Sequence, residues 1–485
     1  MSKAVKIINN SFFVFTARLL EMLSGIVIIG MLARYLGLSD FGEYSIVMSI
    51  VWITLPIISM AVPRSLVVEI SRDPSKAASY IGTGITWNIC VFAVIGFFLW
   101  LIDIRVVPLP FYYFVGLTIS LFITLTQTVG TIYIANERMK YEIYTSFTSY
   151  FILLLLTGGV TFFNLGLEKV FMATSAAYFC GFIAAVLLGR KVAGFTLVPM
   201  MDRHILRKLL AGSFALSLIQ VLVQLHIYCG VFFLKNLSGN IEVALYQAPM
   251  RIFTRFMIIP LSITVALMPI FSRLAMDSEK KHEMMETTRV VFKIFMLISM
   301  LITIVAYTSA TEVISLILGQ HFTNAIVGFK IVVLGTIFFF INQFYVMLCM
   351  TSGNFNGFSL LKMGEFVICV LLNLALVPAY GHNGSFWALI VSSCLMSFGG
   401  YVYFRDLFRK ESLNSMTLIL ICGLGSIAVL NCMPPMNFLI PLTIGIFCFT
   451  GVMLVSKIIV WKELLPLLNI IGRKIHQGKA TGYKE

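Results

Sequence analysis

Long apolar runs separated by short polar loops make up almost the whole chain. Each run has roughly 20 or more predominantly apolar residues, the length that an α-helix needs to cross a bilayer core about 30 Å thick. No stretch alternates polar and apolar positions as membrane β-strands do. The pattern therefore predicts an all-α integral membrane protein with about 14 transmembrane helices. The predicted spans lie near residues 8–32, 41–63, 78–101, 109–134, 143–164, 168–189, 208–234, 241–272, 290–309, 325–350, 360–378, 384–404, 415–432 and 438–459.

The composition points the same way. Hydrophobic residues make up 59% of the 485 residues and charged residues 12%, and the mean hydropathy is +0.96. A soluble domain carries about 25% charged residues, so we expect the outer faces of these helices to contact lipid. The net charge is +14, but the basic residues lie between apolar runs and form no patch with aromatic residues. This arrangement favours contact with anionic membrane lipids and no nucleic-acid partner.

The basic residues also predict the orientation in the membrane. If the N-terminus is cytoplasmic, 27 of the 35 lysines and arginines fall in cytoplasmic segments. Four fall on the outer side: Arg34, Arg105, Lys169 and Lys235. Four more lie within predicted spans, away from their cytoplasmic ends: Arg18, Arg251, Arg255 and Lys330. Such an excess of basic residues on one side is typical of cytoplasmic loops, and an odd number of spans would destroy it. We therefore expect both termini to be cytoplasmic.

A faint internal repeat suggests two lobes. The segments Leu32–Tyr44 and Phe233–Tyr246 each join two spans through a turn containing leucine and glycine, and each ends in a tyrosine. Arg34 in the first segment matches Lys235 in the second. Six spans separate the two segments, which predicts a parallel repeat of two pseudo-symmetric six-helix lobes. The predicted division is 1–200 for spans 1 to 6, 201–410 for spans 7 to 12, and 411–485 for two further helices and a cytoplasmic tail.

Several motifs resemble those of one transporter family. The segment Ala33–Tyr44, which reads ARYLGLSDFGEY, is similar to the first-loop signature of Wzx-type polysaccharide and oligosaccharide flippases. Three more segments resemble motifs of that family: Tyr246–Arg251, Met268–Arg273 and Val377–Gly381. The resemblance extends over the whole chain in length, number of spans and orientation. These flippases belong to the multidrug/oligosaccharidyl-lipid/polysaccharide (MOP) transporter superfamily.

The resemblance implies a fold and an activity. The fold is that of MATE and MurJ transporters, in which two bundles enclose a central cavity that opens alternately to either side. The implied activity is the translocation of an undecaprenyl-pyrophosphate-linked oligosaccharide across the cell inner membrane, as in O-antigen, capsule or exopolysaccharide synthesis. The partners it implies are the lipid-linked oligosaccharide itself, and a polysaccharide polymerase with its chain-length regulator.

The charged residues inside the spans are the candidate site residues. A charge near the centre of a membrane helix costs roughly 2.5–3.5 kcal/mol on insertion scales, so Arg18, Arg251, Arg255 and Lys330 are expected to face a wet cavity or a partner. Arg251 and Arg255 are four residues apart, on one helix face, with no acid one turn away. Because arginine suits phosphate and carboxylate oxygens, we interpret them as part of a cationic cavity that binds the anionic cargo. Lys330 has two interpretations, cavity lining or snorkelling to the interface.

Three further residues are candidates for coupling to an ion. Glu21 lies one turn from Arg18, and the two form either an internal ion pair or a cavity cation with a protonatable neighbour. Glu365 lies three residues from Lys362, which favours a structural pair. His226 is either a proton relay or a hydrogen-bonded packing residue. Coupling to H⁺ or Na⁺ is energetically feasible, since one charge moving through 100 mV releases about 2.3 kcal/mol.

Other functions stay open. A MATE-like drug or cation exporter would need buried acids, whereas the charges within the spans are mainly basic. A lipid II flippase would share the number of spans and the cationic cavity. A membrane polysaccharide polymerase or ligase would need a large outer loop with catalytic residues, and no HExxH, GxSxG or P-loop motif occurs. The nine cysteines form no CxxC pair, and the sequence predicts neither enzymatic activity, nor a cofactor, nor a metal site.

Overall fold

A computed structural model gives the fold of the chain. It describes residues 3–60, 62–106, 108–194, 198–275, 281–353 and 355–408, and also 419, 421–423, 425–428, 443–447 and 449–450. The described residues form α-helices and short turns and contain no β-strand. The helices are α1 Lys3–Ser59, α2 Val62–Arg72, α3 Ala77–Arg105, α4 Tyr112–Ala135, α5 Lys140–Phe162, α6 Leu167–Ala193, α7 Arg203–Leu237, α8 Asn240–Phe256, α9 Ile258–Ala275, α10 Lys281–Thr308, α11 Ala310–Ile317, α12 Ala325–Leu334, α13 Thr336–Ser352 and α14 Phe355–Tyr403. Short 3₁₀ turns occur at Pro74–Lys76, Gln320–Phe322 and Arg405–Leu407.

The predicted all-α membrane fold is confirmed. In the described part of the chain, nine helical segments are long and apolar enough to cross a membrane, or ten if α12 and α13, bent by 46°, count as one span. Two of these segments contain a glycine kink, so the first twelve predicted spans all coincide with helix. Most of the thirteenth and fourteenth spans lie outside the described residues. Many large apolar side chains point outward, among them Phe98, Phe162 and Leu316, as expected for helices whose solvent is lipid.

The chain divides into two compact units. The first unit is Ile7–Ala244, and the second is Leu245–Glu485 together with Met1–Lys6. Helix α7 packs against α2 and α3, so the first unit contains one helix more than the predicted N-terminal lobe. The lobe boundary near residue 200 and the two-lobe symmetry stay predictions.

Glycine and proline mark where the long helices bend. Gly37 within α1 has φ 66°, and Gly381 within α14 has φ 53°, a left-handed backbone that glycine adopts without steric cost. Helices α8 and α9 are separated at Met257, which divides the predicted eighth span. Pro260, four residues after Phe256, explains this break, because proline has no N–H for the Phe256 carbonyl and its ring clashes with that carbonyl. Pro249, by contrast, lies inside an unbroken α8.

Two segments expected to be loops are helical. The stretch after the second span forms α2, which begins after Met60, a residue with φ 46°. Pro63 is the second residue of α2, in the first turn, where proline is tolerated. The longest predicted outer loop contains α11. Both helices are shorter than a membrane span, so hydrophobic length alone does not reveal them.

Glu43 connects four helical segments of the first unit. Its Oε1 accepts hydrogen bonds from the hydroxyls of Tyr113 at 2.8 Å and Tyr112 at 3.4 Å. Its Oε2 accepts from Lys235 Nζ at 2.9 Å and from Asn240 Nδ2 at 3.1 Å. The carboxylate, with its side chain 13% exposed, thus joins α1, α4, the end of α7 and the start of α8. Four donors on one carboxylate satisfy nearly all its acceptor capacity.

The backbone around this cluster is closely packed. A Cβ atom at Gly42 would collide with the backbone carbonyl of Asn240, so glycine is needed for α1 to approach the start of α8. Lys235 Nζ also donates to Asn240 Oδ1 at 2.6 Å, which fixes the turn between α7 and α8. Lys235, predicted only as an outer-side charge and as the repeat counterpart of Arg34, is therefore a structural partner of Glu43.

We expect Glu43→Ala to destabilise the first unit by about 1–3 kcal/mol, because the substitution removes the common acceptor of four partly buried donors. Glu43→Gln should be less damaging, since one oxygen remains to accept hydrogen bonds. Chemical unfolding of the purified chain in micelles measures both. Glu168→Gln, at an exposed acid in the same unit, is the matched control, and an equal loss in the control would contradict the role assigned to Glu43.

Candidate functional site

The first unit contains a cavity of about 370 Å³ enclosed by α1, α2, α4, α5 and α6. It lies where the C-terminal half of α4 meets the N-terminal half of α5. Its charged and aromatic lining residues are Glu21, Trp52, Arg64, Tyr133, Glu142, Tyr150 and Tyr178. Its uncharged polar lining residues are Thr126, Gln127, Thr131, Thr145, Ser146 and Ser149. A cavity with several polar groups on membrane-length helices is the default candidate for a ligand site.

Several hydroxyl groups in the cavity wall use their hydrogen within the protein. Thr126 Oγ1 donates to the Phe122 carbonyl at 2.7 Å, and Thr145 Oγ1 donates to the Tyr141 carbonyl at 3.0 Å. Ser149 Oγ likewise donates to the Thr145 carbonyl at 3.0 Å. Each of these hydroxyls has only one hydrogen, and the helix backbone takes it. Thr145 also hydrogen-bonds with Tyr133, and the Ser149 oxygen packs against Gly181. Among these three, the partly exposed Thr126 oxygen therefore remains for a donor on a ligand.

Arg64 is the charged residue of this cavity that sequence reasoning missed. It belongs to α2 and lines the cavity. Within the part of the chain that the structure describes, Arg64 has no hydrogen bond and no acidic partner. The sequence places Arg64 among the basic loop residues, because the apolar run ends at Pro63. Only Pro63, a residue type that is common in the first turn of a helix, could have indicated that Arg64 lies on a helix and not in a loop.

The two acids of the cavity are engaged within the protein. Glu21, a predicted ion-coupling residue, lies on α1 and lines the cavity together with Glu142. Each takes part in an interaction with neighbouring groups of the chain. Arg18 lies on α1 one turn before Glu21, but its side chain lies outside what the structure describes. The choice between an internal Arg18–Glu21 pair and a cavity cation thus stays open.

The arginine pair of the predicted eighth span lies on α8. Arg251 and Arg255 are both partly buried and are separated by about one turn. The Nε of Arg255 is shielded from solvent and has no hydrogen-bond partner. Arg251 takes part in an interaction within the protein. From Val243 to Met276 the sequence contains no acidic residue, so neither arginine has a carboxylate on its own helix within two turns.

The other predicted residues of the second unit have protein partners. Lys330 Nζ on α12 lies 5.2 Å from the centre of the Tyr307 ring. This cation–π contact was not part of either predicted interpretation, cavity lining or snorkelling to the interface. Glu365 Oε2 accepts from Lys362 Nζ at 2.7 Å, and both side chains are buried. The pairing of Glu365 with Lys362 was expected from their spacing, and both side chains are buried inside the second unit.

Further polar groups surround Glu365. Its Oε1 accepts from Asn342 Nδ2 at 3.3 Å and from Ser393 Oγ at 3.4 Å. Asn342 Oδ1 accepts in turn from Ser397 Oγ at 3.2 Å. The network joins α13 to both halves of α14. A buried charge pair with satisfied neighbours is stable only while all its members are present.

His226 lies on α7 in the first unit and is buried, with 4% of its surface exposed. It takes part in an interaction within the protein, and its backbone carbonyl accepts from Cys229 Sγ at 3.5 Å. The structure therefore places it in the packed part of the unit. Its role in ion coupling stays a prediction.

Solved structures with a similar fold are transporters. The lipid II flippase MurJ, in an inward closed conformation, is similar with a TM-score of 0.71 and 12% identity, covering 93% of this chain and 98% of MurJ. An inward-facing multidrug resistance MATE family transporter of the MOP superfamily has a TM-score of 0.62 and 14% identity, covering 79% of this chain and 94% of the transporter. A MOP superfamily transporter from Pyrococcus furiosus, described by a reverse polarity of its binding pocket, has a TM-score of 0.55 and 14% identity, covering 83% and 94%. At these identities the similarity shows the fold. A search of curated protein sequences found no match.

A sequence family profile also matches. The profile described as "Polysaccharide biosynthesis protein" matches residues 7–275, more than half of the chain, and includes α1 to α9. This match confirms the resemblance found in the motifs, and the MurJ and MATE structures confirm the fold that it implied. The chain belongs to the polysaccharide biosynthesis protein family and is a multi-pass membrane protein with the fold of MurJ and MATE transporters.

Proposed function

We propose that the protein is a flippase that moves an undecaprenyl-pyrophosphate-linked oligosaccharide repeat unit across the cytoplasmic membrane by alternating access. The observation that carries the proposal is the basic helix α8 in a chain of this family. Arg251 and Arg255 lie on a membrane helix that carries no acid within two turns of either residue, and the Arg255 Nε is buried without a partner. Such a group is costly unless a ligand anion completes its hydrogen bonds. A pyrophosphate supplies oxygens of suitable geometry.

The sign of the buried charge separates this function from drug export. A cationic drug would be repelled by α8, whereas a lipid-linked oligosaccharide carries its negative charges at the head that must cross. The MATE structures share the fold, so an exporter is the alternative from a different functional class. The Pyrococcus furiosus transporter is described by a reverse polarity of its binding pocket that suggests a different function, which supports the view that pocket charge distinguishes members of this superfamily.

A lipid II flippase is the second candidate, because MurJ has the same fold over nearly its whole length. Its cargo is also a lipid pyrophosphate. The family match to polysaccharide biosynthesis favours a polysaccharide repeat unit. Both assignments place the chain in the inner membrane with cytoplasmic termini, and neither requires a catalytic residue. The polysaccharide assignment also implies a polymerase and its chain-length regulator as partners on the outer side.

Transport against a gradient needs an energy source, and we propose coupling to H⁺ or Na⁺. Glu21 faces the cavity of the first unit, and Glu365 forms the buried pair with Lys362. Either carboxylate could exchange its partner for a proton or a metal cation during the cycle. His226 is a weaker candidate because it is buried within the packed unit.

Deletion of the gene should abolish surface polysaccharide and leave its lipid-linked precursor on the cytoplasmic side, because the repeat unit is made there and cannot cross. The measurement is accessibility of the precursor to a membrane-impermeant glycan-cleaving enzyme, in whole cells and in lysed cells. Complementation of a lipid II flippase deletion, with polysaccharide export unaffected, would favour the second candidate. Drug sensitivity with normal polysaccharide would favour an exporter.

Arg255→Gln should reduce export about tenfold or more, since a charge-assisted hydrogen bond is worth about 1.5–3 kcal/mol. Arg255→Lys should retain part of the activity, because the charge remains while the two-pronged geometry is lost. Surface polysaccharide at equal protein levels in the membrane is the readout. Arg405→Gln, an exposed arginine in the same unit, is the control and should export normally. Normal export by Arg255→Gln would remove the main support for the anion-binding helix.

The Lys362–Glu365 pair can be tested as a coupling site with a double substitution. Lys362→Met or Glu365→Gln alone should destabilise the protein by about 3–5 kcal/mol, because each leaves a buried charge unpaired. The double variant should regain most of that stability. If the pair couples transport to an ion, the double variant folds yet loses the dependence of export on the ion gradient. Gradient-dependent export by a well-folded double variant would make the pair purely structural.

A further inference from the structure

The cavity of the first unit combines features that recognise a sugar. Trp52, Tyr150 and Tyr178 are partly exposed and contribute aromatic surface to the wall. Aromatic side chains offer a flat apolar face, and tyrosine adds a polar edge. Thr126 and Ser146 are partly exposed and add hydroxyl oxygens to the wall, and the hydrogen of the Thr126 hydroxyl is committed to the helix backbone. A pyranose has a matching surface, with C–H groups on its faces and hydroxyl donors around its rim.

The charges of the cavity define the ligand further. The carboxylates of Glu21 and Glu142 are already engaged within the protein. Gln127, exposed toward the cavity, offers both a donor and an acceptor. Arg64 has no hydrogen bond and no acidic partner in the described part of the chain. Its guanidinium has only donors and matches a planar carboxylate or a phosphate.

The size of the cavity limits what can fill it. Its volume of about 370 Å³ lies near the lower end of the roughly 300–1,000 Å³ typical of ligand pockets. This space accommodates a short piece of glycan and excludes a whole repeat unit with its lipid. The cavity is therefore suited to binding one part of a larger cargo.

We propose that this cavity is a subsite for an acidic sugar, in which Arg64 binds the sugar's oxyanion and the aromatic and hydroxyl wall holds the ring. The proposal rests on the flippase function and deepens it, because it makes Arg64 a residue that selects the glycan. The oxyanion is a carboxylate, as in a uronic acid, or a phosphate carried on the sugar. None of the residues that line the cavity belongs to α8, to which we assigned the lipid pyrophosphate.

Titration calorimetry on the purified full-length chain tests the subsite directly. The probes are methyl glucuronide, glucose 6-phosphate, methyl glucoside and inorganic phosphate. At least one acidic sugar should bind more tightly than both methyl glucoside and inorganic phosphate, and the stronger of the two identifies the oxyanion. Equal binding of inorganic phosphate and the acidic sugars would show a general anion site and overturn the proposal. Equal binding of methyl glucoside would overturn the role of Arg64.

Substitutions then assign the binding to Arg64. Arg64→Gln should weaken acidic-sugar binding about tenfold or more and leave methyl glucoside unchanged, while Arg64→Lys should be intermediate. Arg72→Gln is the matched control, because Arg72 is on the same helix and is exposed like Arg64, but pairs with Glu69 and does not line the cavity. Thermal unfolding of each variant checks that the fold is retained. Unchanged affinity in a folded Arg64→Gln variant would contradict the proposal.

Export separates this inference from the flippase function. In a strain whose repeat unit contains an acidic sugar, Arg64→Gln should lower export at normal protein levels, whereas Arg72→Gln should not. If the wild-type chain restores export and Arg64→Gln does so equally well, the subsite is wrong and the flippase stands. If the wild-type chain fails to restore export, the flippase function itself is wrong, whatever the probes bind.

Discussion

A charge inside an apolar helix must find a partner, and this constraint accounts for most of the polar architecture described above. Within the described residues, three buried or partly buried carboxylates each bind a lysine from a neighbouring turn or helix. Glu43 binds Lys235, Glu365 binds Lys362, and Glu69 on α2 binds Lys208 on α7. Where such a pair links different helices, the cost of burying its charges is offset only if the helices stay together. The pairs therefore hold helices in register in a protein where lipid gives little hydrophobic drive for association.

The same constraint gives meaning to the cations that lack such a carboxylate. Arg64 faces a cavity, and the Nε of Arg255 is buried with nothing to receive its proton. The Arg64 side chain is exposed toward the cavity, so a ligand can reach its guanidinium group. In the proposed function the missing partner is the cargo, which would make these hydrogen bonds only while it is bound. The lipid-linked pyrophosphate that we propose as the cargo is an anion of the kind that guanidinium groups bind.

The sequence predicted the parts of the fold that depend on local hydrophobic length. Twelve predicted spans coincide with helix because roughly 20 apolar residues can do little else in a bilayer. Proline positions were informative but not decisive: Pro260 interrupts the helix, whereas Pro249 does not, since surrounding packing can absorb a missing hydrogen bond. The contacts of Glu43 could not be predicted from the sequence, because Tyr113 and Lys235 are 70 and 192 residues away along the chain. Arg64 was assigned to a loop because α2 is amphipathic and too short to register as a span.

If the arginines of α8 bind the pyrophosphate and Arg64 binds the glycan, as proposed, this would explain how one fold transports many cargoes. Every lipid-linked cargo of this class carries a pyrophosphate, so a helix that binds it, as proposed for α8, need not change between family members. The glycan differs from one cell surface to another, and a small cavity lined by hydroxyls, aromatic rings and one arginine can be altered without disturbing the ion pairs that hold the helices. The variable glycan is then recognised by side chains that take no part in holding the helices together. Arg64 meets that condition in the described structure, whereas Lys235 and Lys362 do not, because each completes a carboxylate on which the packing depends.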